Sequence, residues 1–131
     1  MYIYKLICKD DNITDFYIGS TINELILRYR THRHSSTRIN NKLYNFIQAH
    51  GGMINFKLRV IEKCKNISVK ELRAKEKMYI DLLKPTLNCN IPTRTLKQWR
   101  HDNKEKFNTY MRDYFYKKNL YKKELKFYNI F

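Results

Sequence analysis

The sequence predicts a mixed α/β (α+β) domain: a small three-stranded antiparallel sheet flanked by helices in the order ββααβα, followed by a helical, basic C-terminal extension. Three observations predict it. Period-two alternation recurs in three short runs, apolar stripes at helical spacing lie between and after them, and composition shifts toward Lys, Arg and aromatics past Pro92.

Residues 2–8 place Tyr2, Tyr4, Leu6 and Cys8 on one face and Ile3, Lys5 and Ile7 on the other, the alternation of a strand. Lys9-Asp10-Asp11-Asn12 is a polar turn, and Phe16-Tyr17-Ile18 returns as the second strand of an antiparallel hairpin. Gly19 is expected to supply backbone freedom where that strand ends. A first helix is expected from Asn23 as its cap, with Leu25, Arg28, Tyr29 and His32 sharing one stripe. A second helix over residues 40–50 carries Leu43, Phe46, Ile47 and His50 in its stripe, and Gly51-Gly52 ends it. Phe56, Leu58 and Val60 then alternate with Lys57, Arg59 and Ile61 as a third strand. Ser68 and Glu71 form a capping-box pattern that opens a third helix. Its buried face is expected to hold Leu72, Glu76, Tyr79 and Leu83, and Lys84-Pro85 stops it.

A length of 131 residues allows one domain, residues 1–92, plus an extension, residues 93–131. The net charge of +15 is self-repelling and calls for a polyanionic partner, nucleic acid before an acidic membrane surface. An AT-rich coding sequence would account for part of the Lys and Asn content. With no N-terminal signal, lipidation motif or long apolar run, a soluble intracellular protein is expected. Only 3 Gly are present and no GxGxxG or GxxxxGK[ST] pattern occurs, which excludes a glycine-rich phosphate cradle. Cys8, Cys64 and Cys89 are widely spaced with no CxxC pair, so reduced, buried thiols are expected rather than a zinc knuckle or disulfide framework.

Several positions carry chemistry. Glu76 sits in an otherwise apolar stripe, where a lone carboxylate is costly to bury. Either an ordinary ion pair, with Arg28 for instance, or a divalent cation would compensate it. Arg28 and His32 lie one helical turn apart and point the same way. A planar guanidinium there can clamp two phosphate oxygens, although a merely basic surface helix, with Arg30 and Arg33 alongside, reads the same way. Tyr4 and Tyr17 are either core residues of paired strands or site residues.

Taken together, Tyr2-Ile3-Tyr4, the run Tyr17-Ile18-Gly19-Ser20-Thr21 with Leu25, Arg28 and His32, and the later Glu76-Lys77-Met78-Tyr79-Ile80 with Pro85-Thr86-Leu87-Asn88 resemble the GIY-YIG nuclease family over roughly residues 1–92. Tyr2 stands where that family usually has Gly, a departure that bears on backbone crowding and not on a catalytic side chain. The resemblance implies a metal-dependent endonuclease whose site gathers Tyr4, Tyr17, Arg28, His32, Glu76 and Asn88. Glu76 would hold one divalent ion, Mg²⁺ or Mn²⁺. Tyr4 or Tyr17 would act as or assist the general base, its pKa lowered by nearby cations. Arg28 would neutralise charge on the phosphate and Asn88 would brace the site. The partner implied is DNA, duplex or branched.

The extension falls outside the resemblance. Ten of the chain's nineteen aromatic side chains lie there among Lys and Arg, and Trp99-Arg100-His101-Asp102-Asn103 is faintly echoed sixteen residues later by Phe115-Tyr116-Lys117-Lys118-Asn119. Trp99, Asn103, Phe107, Tyr110 and Tyr114 keep a helical stripe, so one or two helices are expected. Arg94, Lys97, Trp99 and Arg100, with Arg30 and Arg33 of the first helix, are the expected nucleic-acid contacts, and Tyr110, Tyr114 and Tyr121 are further stacking candidates. The same aromatics would equally serve to pack the extension. Homing enzymes and large-DNA-virus proteins of this kind append such tails, so a mobile-element or viral setting is compatible. Two competing readings are a nuclease-like protein that binds nucleic acid without cutting it and a basic packaging protein.

Overall fold

The computed structural model describes the backbone of residues 1–128 and the side chains of residues 1–120; the Tyr121 side chain therefore lies outside it. The chain forms β1 (Tyr2–Cys8), β2 (Phe16–Thr21), α1 (Leu25–Ser36), α2 (Lys42–Ala49), a 3-10 turn (Met53–Asn55), β3 (Phe56–Lys63), α3 (Val69–Leu83), α4 (Leu96–Asp102) and α5 (Lys104–Tyr128). This is the expected three-stranded antiparallel sheet with the ββααβα order in its first part. A first compact unit spans Met1–Thr93 and a second begins at Arg94.

β1 is the central strand of the order β2-β1-β3. A central strand with apolar residues on both faces needs cover on both, and the helices supply it. Tyr4, Leu6 and Cys8 pack with Leu43, Tyr44, Ile47, Phe56 and Leu87. On the opposite face Ile3 packs with Ile18, Cys64, Leu72 and Ile80. Each such fully buried side chain stabilises the fold by about 1.5–3 kcal/mol. Lys5 keeps its charge clear of that core by laying its ammonium 4.3 Å from the centre of the Phe16 ring.

Four local expectations are corrected. The first helix begins at Leu25 with Glu24 at the cap and no side-chain cap bond, because the Asn23 N–H is held by Thr21 Oγ1 at 3.1 Å. In β3 the pairing runs Tyr4↔Val60 and then Ile3↔Glu62, so Ile61 is an extra residue in a bulge. The bulge turns Ile61 toward the Ile3–Ile18 cluster, and Val60, which the alternation grouped with Phe56 and Leu58, is 44% exposed while Phe56 is buried. In α3 the buried residues are Leu72, Glu76 and Ile80, while Leu83 is exposed near the helix end. Cys8 and Cys64 are buried as expected, but Cys89 is exposed.

Both glycines at the end of α2 have positive φ, +87° at Gly51 and +89° at Gly52, where a side chain would be strained. The Gly52 N–H returns to the Ile47 carbonyl at 2.9 Å, closing the helix. The segment after α3 covers the outer edge of β2. The Leu87 N–H donates to the Phe16 carbonyl at 3.2 Å. Asn88 then accepts from the Ile18 N–H through Oδ1 at 2.9 Å and donates from Nδ2 to the Ile18 carbonyl at 2.8 Å. Its amide does what a paired strand residue would do, which leaves no open edge at that point.

In the second unit, Thr95 and Gln98 form a capping box that opens α4. Asn103 ends α4, its side chain donating to the Trp99 carbonyl at 2.9 Å. Among the described residues no helix is long and apolar enough to cross a membrane.

The capping box of α3 is formed, with Ser68 Oγ accepting from the Glu71 N–H at 3.1 Å and Glu71 Oε2 accepting from the Ser68 N–H at 3.1 Å. Ser68→Ala should lower the unfolding free energy by about 1 kcal/mol in urea titrations. An unchanged midpoint would mean that packing alone fixes where α3 starts.

Candidate active site

Tyr4 lies on the central strand, fully buried, with its ring across Gly19 of the neighbouring strand. A Cβ on Gly19 would stand 2.5 Å from Tyr4 Oη and 2.8 Å from Tyr17 Cε1. Gly19 is therefore required for space. It is an ordinary residue within β2, not a flexible strand end, which corrects the sequence expectation. The room left by its missing side chain lets the Tyr4 hydroxyl reach α1.

There the hydroxyl meets two groups one turn apart. Arg28 Nε donates to Tyr4 Oη at 2.8 Å, and Tyr4 Oη lies 2.8 Å from His32 Nε2. His32 Nδ1 lies 3.1 Å from Tyr44 Oη. Burial, reinforced by the neighbouring Arg28 charge, pushes the His32 pKa down to about 3 and keeps the ring neutral. Arg28, Tyr4, His32 and Tyr44 thus form one hydrogen-bonded chain around a neutral ring. Tyr17 completes the cluster, its ring 5.9 Å from His32 and 6.5 Å from Tyr4. Its hydroxyl feels the charge and hydrogen-bonding of Arg28, and the residue lines a cavity of about 150 Å³ with Arg28, His32, Tyr44 and Asn90.

The expectation that nearby cations lower a tyrosine pKa is corrected. Burial raises Tyr4 well above the usual phenol range, with Tyr17 adding to the rise and Arg28 only partly opposing it. Tyr17 is pushed up to about 12 by burial first and by the negative Glu76 second. Both phenols are protonated hydrogen-bonding groups at neutral pH.

Glu76 projects from α3, 9% exposed, and its Oε2 accepts a short hydrogen bond from Ser20 Oγ. The ion pair with Arg28 weighed from sequence is not formed: among the described residues Glu76 is in no salt bridge. Burial raises its pKa, while Ser20, Arg28 and Arg73 hold it down. Arg28 links the two halves. It lines the cavity of Tyr17 and His32 and also a cleft of about 270 Å³ lined by Ser20, Thr21, Asn23 and Arg73.

Asn88 stands behind β2 as the brace described above and touches no reactive group. Tyr2, in place of a glycine, directs its hydroxyl to Glu24 Oε2 at 3.3 Å, in an exposed contact, and its ring lies near the Lys63 ammonium. Its side chain crowds no part of the cluster. Arg30 and Arg33 are exposed on α1. In the second unit Lys97, Trp99 and Arg100 are exposed on α4, whereas Arg94 is tied to Asp102. Two partners were missed from sequence. Ser20 lies within the Tyr17–Thr21 run with no sequence signal of its own, and Tyr44, one residue beyond Leu43 in the α2 stripe, has nothing in sequence to set it apart from core.

Two outcomes follow from this geometry. Gly19→Ala should destabilise the domain by about 1–3 kcal/mol, the cost of overpacking, and displace the Tyr4 hydroxyl, read by urea unfolding and by the Tyr4 ring resonances. The second concerns acid. His32 has a folded pKa below its unfolded 6.5, so the unfolded state binds the extra proton and stability falls as pH drops below 6.5 toward 3. Between pH 7.5 and 5.5 the loss should be about 1 kcal/mol in the native sequence and absent in His32→Gln. Equal slopes for both proteins would contradict a neutral buried His32.

A family model described as the GIY-YIG catalytic domain matches residues 1–88, two-thirds of the chain. No curated protein and no solved structure matches it. The matched span begins before Tyr4 and closes on Asn88, and so contains every residue of the cluster just described. On that match, and with the fold it requires, the chain belongs to the GIY-YIG family of nuclease domains.

Proposed function

We propose that this protein is a metal-dependent DNA endonuclease that hydrolyses phosphodiester bonds with one divalent ion at Glu76, and that residues 93–131 form a basic DNA-contacting extension. One observation carries the reading. Arg28, anchored through Nε by Tyr4, joins the Tyr17–His32 cavity to the cleft beside an unpaired, buried Glu76. A fixed guanidinium and a carboxylate without a cationic partner are what a phosphate and a hard cation would each require.

The donor set fits such an ion. Glu76 is buried with only a serine hydroxyl against it, and no group of three or more metal-ligating side chains occurs among the described residues. Mg²⁺ and Mn²⁺ accept this, because they take one or two carboxylates and fill the remaining positions with water and phosphate oxygens. When bound, the ion supplies positive charge to the phosphate and leaving oxygens.

The chain's own groups divide the remaining work. Arg28 offers its terminal amines to the non-bridging oxygens, since Nε is already committed to Tyr4. Tyr4 and His32 hold that guanidinium in place. Tyr17, whose side chain lines the cavity beside Arg28, is the tyrosine that would orient the attacking water, and its high pKa suits it to hydrogen bonding ahead of proton removal. The raised tyrosine pKa values also support the second reading, a nuclease-like domain that binds DNA without cutting it.

Labelled linear and branched DNAs incubated with Mg²⁺, Mn²⁺ or EDTA separate the two. Cleavage should require the metal and fall by about 10²-fold or more in Arg28→Ala and Glu76→Gln, with DNA binding in EDTA retained by Glu76→Gln. Cleavage that persists in both variants sinks the assignment, and a native protein that binds every substrate but cuts none establishes the binding reading.

A further inference from the structure

We propose that Arg73 binds a phosphate flanking the scissile one, making the Ser20–Arg73 cleft a second phosphate subsite along the cut strand; this rests on the nuclease reading above. The cleft of about 270 Å³ is bounded by β2 and the start of α3, with Arg28 and Arg73 as its charged lining. The ion pairs among the described residues are Lys75–Glu62, Lys77–Asp81 and Arg94–Asp102, so neither guanidinium has a carboxylate partner. Glu76 is the acidic group felt there, and it already accepts from Ser20. Two guanidinium charges against one carboxylate leave the cleft cationic, and two like charges lining one cleft repel unless an anion lies between or beside them.

The lining fits a nucleotide backbone better than a free anion. Ser20, Thr21 and Asn23 offer hydrogen-bonding groups on one wall, while Val69 and Leu72 make the other apolar. Phosphate oxygens go to the first kind of surface and a sugar face to the second. Because Arg28 also lines the Tyr17 cavity, a strand whose scissile phosphate sits on Arg28 has its neighbouring phosphate on the Arg73 side. Arg73 is exposed on α3, three residues before Glu76, so its side chain is free to meet DNA without altering the core.

The test is DNA binding by the full chain in EDTA across a salt series, with Arg73→Ala and Arg73→Lys. Arg73→Ala should flatten the slope of log K against log salt by about 0.9, the value of one phosphate contact, and Arg73→Lys should keep it. A duplex scanned with single neutral methylphosphonates should show one position, adjacent to the cleavage point, where the native protein loses about tenfold in affinity and Arg73→Ala loses nothing more. An unchanged slope, or methylphosphonate effects the same at every position for both proteins, overturns the proposal. So does a slowed cleavage of saturating DNA with no change in slope, since Arg73 would then act on Glu76 and not on DNA. Binding in EDTA reads the subsite and cleavage reads the nuclease assignment, so failure of one is distinguishable from failure of the other.

Discussion

The close approach of the Tyr4 ring to Gly19 is the constraint on which the rest depends. A tyrosine on a central strand would ordinarily be core, its hydroxyl a liability to be satisfied. Here the neighbouring strand has no side chain at the facing position, and the hydroxyl passes over it to meet α1. From that contact come the anchored Nε of Arg28 and the hydrogen bond that joins Tyr4 to His32. Remove the space and each loses its anchor, although none of them touches residue 19 except the tyrosines.

Electrostatics then divides the site by the two faces of the sheet. On the Tyr4 face, burial keeps a histidine and two phenols neutral beside one permanent cation. On the α3 face Glu76 accepts a hydrogen bond from Ser20 and, among the described residues, is in no salt bridge, with Arg28 and Arg73 acting on it from farther off. Arg28 belongs to both surroundings. Charge is thus poised on either side of a single guanidinium.

Much of this was legible in the sequence because periodicity and order along the chain report facing. The two strands, the one-turn step from Arg28 to His32, the α3 capping box and Glu76 in an apolar stripe each have a local signature, and the Asn motif carried its brace. What escaped were properties of neighbours distant in sequence. Gly19 read as a conformational residue because a sequence cannot show the ring above it. The tyrosine pKa was expected to fall because cations are visible in sequence and burial is not. Ser20 and Tyr44 were invisible as partners, since a short polar residue in a strand and a tyrosine beside a helical stripe look the same with or without a task. The Ile61 bulge, too, is an event of pairing and leaves no mark on the alternation before it.

The Asn88 brace has a temporal side. β2 carries Tyr17, yet its outer edge is finished by a side chain seventy residues downstream of Ile18. During synthesis the hairpin emerges early and its edge stays open until residue 88 has left the ribosome, so the last stretch of the matched domain to appear is the one that seals β2. The hairpin and the residue that seals it are thus separated in synthesis by nearly all of the domain that lies between them.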